Sequence, residues 1–291
     1  VGGMHSEYFA GLSKYDFLEA SYKIDDNSAL GLSMIRFGVD DIPNTLDLID
    51  DDGNIRYDRI SSFSVADYAF MLTYSRKAPV EGLTYGANLK VIRRIAGDFG
   101  GAWGFGFDLG AQYHYNNWLF GAQARDITST FNAWSYNTET FREVFEETGN
   151  EIPENGLEIT LPRLLLGAGY KFILPKNFTI YPELGIDATF DGKRNTLLRT
   201  SVASFDPHLG VEIAYNNLIF VRGGFSNFQQ IPDFDDTEVL SWQPNIGLGV
   251  HYKGFRIDYA MTDIGNQSIA LYSHVFSLSY RFNAIKNQSS F

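Results

Sequence analysis

Hydrophobic and polar residues alternate strictly along several long segments of the chain. From Trp103 to Tyr115 the odd positions carry Trp, Phe, Leu, Ala and Tyr, whereas the even positions carry Gly, Asp, Gln and His. The same period of two recurs at 178–190, 205–215, 242–252 and 272–282. This period is typical of a β-strand whose two faces meet different surroundings. The pattern therefore predicts an all-β protein built from long strands.

The length and the ends of these strands favour a membrane barrel over a soluble sandwich. The predicted strands run for roughly ten to thirteen residues, as a tilted strand needs to cross a bilayer, whereas soluble strands average about five or six. Aromatic residues gather at the strand ends, as in the interfacial girdles of membrane barrels: Tyr113 and Tyr115 close one strand, and Trp118 and Phe120 open the next. We therefore interpret the apolar face as facing lipid and the polar face as facing the lumen.

Short and long connections alternate along the chain. The short ones are rich in Asn, Gly, Asp and Pro and lie at 25–28, 77–82, 116–117, 175–177, 216–217 and 253–254. The long ones lie at 39–62, 96–102, 127–159, 192–203, 227–240 and 264–271. Bacterial outer-membrane barrels combine short periplasmic turns with long extracellular loops in this way.

The alternating segments define a strand count. They lie at 15–24, 29–38, 63–76, 82–95, 102–115, 118–127, 160–173, 178–191, 203–215, 218–226, 241–252, 255–263 and 271–283. Because bacterial single-chain barrels close with an even number of strands, we expect one more at 4–10. The sequence thus predicts one domain, residues 1–283, that forms an antiparallel transmembrane β-barrel of about 14 strands in the bacterial outer membrane. Residues 284–291 are predicted to be a periplasmic tail.

Composition and motifs exclude several classes of function. The net charge of −12 offers no electrostatic footprint for nucleic acid, and the absence of cysteine rules out disulfides, cysteine-ligated zinc and thiol catalysis. No G-x-S-x-G motif occurs, and the five His fall on separate predicted strands, so no enzyme and no cofactor are expected. The string Asp50-x-Asp52-x-Asn54 resembles half of a calcium loop, but the required Gly and Glu are missing. We interpret it as a solvated acidic loop and predict no metal site.

The polar face of the predicted strands supplies candidate lumen residues. They are either a polar conduit or binding cavity, or a ladder of ion pairs that fills a closed barrel. The candidates are Asp108, Gln112, Arg125, Arg163, Glu183, Asp187, Glu212, Arg256 and Asp258.

Apolar residues in the predicted extracellular loops are candidate partner-binding residues. Phe141, Val144 and Phe145 have helical spacing and predict a short amphipathic helix whose apolar face needs cover. The loops would form either a lid over the barrel or a surface for a protein partner. Their acidic residues suit divalent cations that bridge to lipopolysaccharide, so outer-membrane lipid and lipopolysaccharide are expected partners. The candidates are Phe131, Trp134, Phe141, Phe145, Phe228 and Phe234.

Several strings resemble the PorV/PorQ family of outer-membrane proteins, which are built like FadL fatty-acid channels and serve the type IX secretion system. The strings are GVDDIP (38–43), YDRISSFSVADYAF (57–70), GDFGGAWGFGFDLGAQY (97–113), RDITSTFNAWSYN (125–137), TGNEIPENGLEITLPRLLLGAGYKF (148–172), DGKRN (191–195), DPHLGVEIAYNNLIFVRGG (206–224), IDYAMTDIG (257–265) and YSHVFSLSYRF (272–282). Such barrels usually carry an N-terminal hatch with an Asn-Pro-Ala-Gly-Leu-like string. This chain contains no such string, so either the barrel lacks the hatch or the hatch lies outside these residues.

Two function hypotheses follow. The resemblance implies a non-enzymatic barrel that binds the type IX translocon, or the C-terminal signal domain of secreted cargo, through its extracellular loops. The alternative is a FadL-like channel for uptake of hydrophobic small molecules, and a passive porin is a third possibility. A carrier needs an apolar pocket, whereas the predicted lumen face is charged, and this favours the partner-binding hypothesis. Pro182, Pro207 and Pro244 on the predicted lipid face leave a side opening possible.

Overall fold

The computed structural model shows a closed antiparallel β-barrel. It describes residues 1–50, 52–140, 142, 145–146, 149, 151–232, 237–262, 264 and 272–282. Its strands are β1 Gly2–Tyr8, β2 Ser13–Lys23, β3 Ser28–Asn44, β4 Ser61–Lys77, β5 Leu83–Ala96, β6 Gly100–Tyr115, β7 Trp118–Arg125, β8 Thr130–Tyr136, β9 Gly156–Thr160, β10 Arg163–Tyr170, β11 Phe172–Leu174, β12 Phe178–Thr189, β13 Leu198–Arg199, β14 Ser204–Tyr215, β15 Ile219–Pro232, β16 Glu238–Tyr252, β17 Phe255–Thr262 and β18 Ser273–Tyr280.

The predicted barrel of 14 membrane-crossing strands is confirmed within the described residues. β7 and β8 are successive parts of one crossing strand, and both pair with β6. β9, β10 and β11 form the next crossing strand, while the two-residue β13 lies beside β14. The predicted N-terminal strand is β1, which pairs with both β2 and β18 and thereby closes the barrel. The predicted tail at 284–291 lies outside the described residues.

Several of the predicted extracellular loops were too long: in the expected loop 39–62, for example, β3 continues to Asn44 and β4 begins at Ser61. Strands β8 and β9 lie within the expected loop 127–159 and pair with each other. In the expected loop 227–240, β15 continues to Pro232 and β16 begins at Glu238. Cross-strand hydrogen bonds keep these segments extended although their sequences lack a clean alternation. Phe131, Trp134 and Phe228 therefore lie on strands and not in loops.

Aromatic side chains form a girdle on the outside of the barrel where the short turns lie. Tyr115, Trp118 and Tyr252 are 56%, 44% and 58% exposed on the outer wall. Aromatic rings also pack on one another there: Trp118 stacks on Phe120, and Phe255 lies tilted against Tyr280. We call this the short-turn end, and we call the opposite end, which carries the connections 45–60, 137–155 and 190–203, the long-loop end. In bacterial outer-membrane barrels the long loops are extracellular.

The short turn between β4 and β5 depends on a glycine. Gly82 has a φ of +80°, and a Cβ at this position would lie 2.1 Å from the backbone oxygen of His114. Gly53 has the same φ of +80°, but nothing lies within 4 Å of its Cβ position.

Replacing each glycine by alanine should therefore distinguish the energetic cost of backbone strain from the cost of a steric contact. Gly53→Ala should lower the free energy of unfolding by about 1 kcal/mol through its left-handed backbone alone. Gly82→Ala should cost about 3 kcal/mol, since the β5–β6 hairpin must also shift. Urea unfolding from lipid vesicles measures both values, and equal costs would contradict the steric contact at Gly82.

Candidate functional site in the barrel lumen

Polar side chains line the lumen over most of its circumference. A cavity of about 580 Å³ opens along the inner wall that runs from β4 to β7 and continues through β10, β12 and β14. It is lined by Thr73, Asn88, Gln112 and Gln123 on one side and by Glu183 and His208 on the other. Cross-strand neighbours share a face of the sheet, so this lining identifies the inward positions of the adjoining strands.

The structure places every predicted lumen residue on an inward position. Asp108, Gln112, Glu183 and Asp187 line the cavity itself. The others occupy inward positions around the remaining wall: Arg125 on β7, Arg163 on β10, Glu212 on β14, and Arg256 and Asp258 on β17. Their charges are arranged in two different ways.

The first arrangement is an ion cluster inside the wall at the junction of β7 and β8. Lys90 Nζ lies 2.7 Å from Asp108 and 2.5 Å from Asp126, and the three side chains are only 12%, 5% and 18% exposed. The Asp126 backbone N–H donates to Asp108, and the buried Thr130 hydroxyl donates to Asp126. Because Asp126 has a φ of +52°, the cluster holds the kink at which the chain passes from β7 to β8.

A second ion cluster joins β14, β15 and β17. Arg222 lies 2.7 Å from Glu212 and 2.6 Å from Asp258, and its guanidinium stands 5.4 Å from the ring centre of Phe220. His251 Nε2 lies 3.4 Å from the same Asp258 oxygen. Glu212 and Asp258 thus form part of a paired lumen ladder, one of the two interpretations left open by the sequence.

The other arrangement opposes like charges across neighbouring strands. Arg125 faces Arg163, and Asp187 faces Asp206. One carboxylate oxygen of each aspartate is buried and has no hydrogen-bond partner among the described residues. Like charges directly opposite each other destabilise a sheet. These four residues are therefore not explained as a structural ladder.

The inner surface of β2, β3 and β4 carries a group of apolar side chains, which the sequence analysis missed, with Glu19 and Asp67 on inward positions beside it. One row of cross-strand neighbours runs through Phe17, Ile35 and Ala69, and the row above it contains Tyr15 and Phe37. The register from the cavity-lining Thr73 through Gly31 to Ser21 puts the odd positions of β4, β3 and β2 on the lumen face, and this row with them. We call Tyr15, Phe17, Ile35, Phe37 and Met71 the apolar wall. It lies towards the long-loop end, above the polar cavity.

The predicted partner-binding residues do not form one surface. Phe131 faces outward and is 44% exposed, whereas Trp134 faces inward, where its Nε1 donates to Glu158. Arg94 stands 5.1 Å above the Trp134 ring and pairs with Glu158 and Asp67.

The remaining candidates of that set lie in three segments. Phe145 is helical and half-buried, and Phe228 is half-buried at the bulge of β15. Phe141 and Phe234 lie outside the described residues, as does Val144 of the expected helix.

The described part of the chain holds neither a metal-ligand cluster nor a helix that could cross a membrane. No group of three His, Asp or Glu side chains there could hold a metal ion. At the half calcium loop, Asp50 instead accepts hydrogen bonds from the backbone N–H groups of Asp52 and Asn54. No helix in those residues has the length and apolarity needed to cross a membrane.

The fold is that of FadL-type outer-membrane barrels. No protein-family model matches the chain, and no curated protein is similar to it in sequence. The toluene transporter TodX of Pseudomonas putida superposes with a TM-score of 0.58 at 14% identity, over 97% of this chain and 88% of that one. The toluene transporter TbuX of Ralstonia pickettii gives 0.53 at 12% identity, over 97% and 88%. The monoaromatic hydrocarbon channel CymD gives 0.52 at 12% identity, over 96% and 86%.

Proposed function

We propose, with the FadL-type fold as premise, that this barrel passes small hydrophobic molecules across the outer membrane. The observation that carries the proposal is the apolar wall, because a water-filled porin needs no apolar side chains in its lumen. Phe37 remains 40% exposed towards the lumen, so a ligand gains contact there by displacing water. The sequence-based argument against a carrier, a charged lumen face, overlooked these apolar side chains, which lie beside the inward Glu19 and Asp67.

The polar cavity lies below the apolar wall on the same passage. An apolar molecule that enters at the long-loop end first meets Tyr15 and Phe37, and then Phe17 and Ile35. Below them it meets Thr73, Asn88 and Gln112, which offer few apolar contacts. Its affinity is therefore highest at the apolar wall, and the concentration gradient across the membrane sets the direction of net transfer. The structural neighbours include a toluene transporter and a monoaromatic hydrocarbon channel, which support an aromatic hydrocarbon as the test substrate.

Uptake of radiolabelled toluene by Gram-negative host cells that express the barrel tests the proposal. At toluene concentrations that limit uptake, expression should raise the initial rate several-fold. Uptake of a sugar of similar size should rise much less, since it gains nothing from the apolar wall. Equal increases for both solutes would identify a passive pore, and no increase for either would overturn transport.

A second function, docking of a protein partner as the PorV/PorQ resemblance implies, is favoured by one exposed surface. Phe105, Phe131, Leu157 and Ile159 are 61%, 44%, 61% and 51% exposed, and they adjoin on the outer face of β6, β8 and β9. An apolar patch at the long-loop end suits a translocon subunit or secreted cargo.

Purification from the native membrane in mild detergent, followed by mass spectrometry, tests this docking. Stoichiometric recovery of one large protein, lost in Phe131→Ser/Leu157→Ser, would support docking at this patch. Recovery of the barrel alone from both the native protein and this double variant would contradict it.

A further inference from the structure

Two pairs of like charges face the lumen beside the polar cavity. Arg125 on β7 is the cross-strand partner of Arg163 on β10, and Asp187 on β12 is the partner of Asp206 on β14. Within the described residues none of the four makes an ion pair. Like charges that oppose each other across strands destabilise a sheet. The barrel therefore keeps both pairs although they contribute nothing to its stability.

The two pairs occupy adjacent rows of the same wall. Arg163 is the cross-strand partner of Thr189, whereas Leu165, two residues further along β10, is the partner of Asp187. Two residues of strand span about 7 Å. Leu165 and Asp187 line the cavity, and the arginine row stands at the rim of the cavity towards the long-loop end. One small molecule in the cavity can thus reach both rows.

Bare backbone leaves room for such a molecule. Gly121 and Gly167 are cross-strand partners in the next row towards the short-turn end, and both line the cavity. A Cβ at Gly121 would meet nothing within 4 Å, and one at Gly167 would meet only atoms at 3.9 and 4.0 Å. Neither packing nor a positive φ requires glycine at these positions. Their missing side chains leave a recess beside the charged rows.

The other charged groups along the cavity leave both pairs without a counter-charge. Lys90 is already shared by the two aspartates of the β7–β8 ion cluster, which keeps one net negative charge. Glu183 adds a negative charge two rows below Asp187, and His208 lies in the glycine row. A simple cation in this cavity would be repelled by the arginines, and a simple anion would be repelled by the acids. A molecule that carries both signs close together is attracted by both rows.

We propose that the two rows form a binding site for a free α-amino acid. Its carboxylate binds Arg125 and Arg163, because guanidinium groups match the geometry of a carboxylate. Its ammonium, which has three donors, binds on the cavity side of Asp187 and Asp206. It thereby supplies positive charge to an aspartate pair in which one oxygen of each carboxylate is buried without a donor.

The spacing of the rows and the neighbouring side chains define this ligand further. In an α-amino acid both charges are attached to one carbon, so they reach two adjacent rows, whereas widely separated charges do not. Leu165 lies in the aspartate row and offers a contact to an apolar amino-acid side chain. The site is separate from the apolar wall and does not depend on hydrocarbon transport.

Equilibrium dialysis of radiolabelled L-leucine against the barrel in lipid nanodiscs measures this binding. Three analogues then test which groups are recognised. L-leucinamide lacks the carboxylate, isocaproate lacks the ammonium, and ε-aminocaproate carries both charges far apart. Each should compete about tenfold more weakly than unlabelled L-leucine, since each loses charged hydrogen bonds.

Two double variants distinguish the two halves of the site. Arg125→Met/Arg163→Met should weaken binding of L-leucine about tenfold and strengthen that of L-leucinamide. Asp187→Asn/Asp206→Asn should weaken binding of L-leucine by a similar factor and strengthen that of isocaproate. Arg256→Met removes an inward arginine of β17 outside this cavity, and as the matched control it should leave binding of L-leucine unchanged. Because each double variant removes opposed like charges, both should resist urea at least as well as the native barrel.

Three results would overturn the proposal. Absence of L-leucine binding would show that the cavity is not an amino-acid site. Equal competition by L-leucinamide or by isocaproate would show that it recognises a single charge. Loss of stability in both double variants would show that the arginines and the aspartates pair with each other instead of with a ligand.

Discussion

Replacing Lys90 by methionine should lower the free energy of unfolding by about 3–5 kcal/mol, the range found when one partner of a buried ion pair is removed. The substitution keeps the length of the side chain but leaves Asp108 and Asp126 facing each other without a counter-charge. Asp108 is 5% exposed and cannot recruit bulk water. Denaturant unfolding from lipid vesicles, followed by tryptophan fluorescence, measures the loss.

Two controls test whether the unpaired charges cause the loss of stability. The exposed Lys193→Met should change stability by less than about 0.5 kcal/mol. Adding Asp108→Asn and Asp126→Asn to Lys90→Met should recover much of the loss, since the stranded charges are then gone. A loss of equal size in the triple variant would show that packing of the lysine stem, and not its charge, holds the β7–β8 junction.

The double variant Phe17→Ser/Ile35→Ser should abolish most toluene uptake. Each residue contributes an apolar contact of about 1.5–3 kcal/mol when fully covered, so together they support at least about a hundredfold in affinity. Both side chains face the lumen as cross-strand neighbours, and serine leaves a polar surface in their place. The measurement is the initial rate of radiolabelled toluene uptake, normalised to folded barrel in the membrane.

The matched control is Leu166→Ser/Leu184→Ser, which removes two apolar side chains from the outer wall on the opposite side. It should reduce folded yield without changing uptake per folded barrel. If both double variants lose uptake equally, the apolar wall has no role in transport and the effect belongs to folding.

The sequence predicts the barrel well because most of its strands keep one apolar face along their whole length. In β6, every outward position from Trp103 to Tyr115 is apolar or aromatic. One alternation therefore predicts the strand, its passage through the membrane and the residues that face the lumen. The same holds for β12 and β16. The lumen residues that the sequence predicted, such as Asp108 and Glu183, lie on strands of this kind.

The apolar wall could not be predicted because the alternation changes face within single strands. In β2, Tyr15 and Phe17 are apolar at odd positions, whereas Leu18, Ala20 and Tyr22 are apolar at even positions. In β3 the same change occurs between Met34 and Ile35. A change of parity in sequence is equally consistent with a bulge, which would keep the apolar face outside. The unbroken β2–β3 register shows that there is no bulge between these strands. The apolar residues therefore move from the outer face of the barrel to the inner face.

Photolabelling by an aromatic diazirine, with and without excess toluene, tests most directly whether hydrophobic molecules occupy the lumen along the apolar wall. Mass spectrometry of the barrel in lipid vesicles then locates the adducts. We predict adducts on Phe17 and Phe37 that excess toluene displaces, and adducts on Leu166 and Leu184, at the lipid surface, that it does not displace. Labelling confined to the outer wall, or labelling of Phe17 and Phe37 that toluene leaves unchanged, would contradict a hydrophobic passage through this barrel.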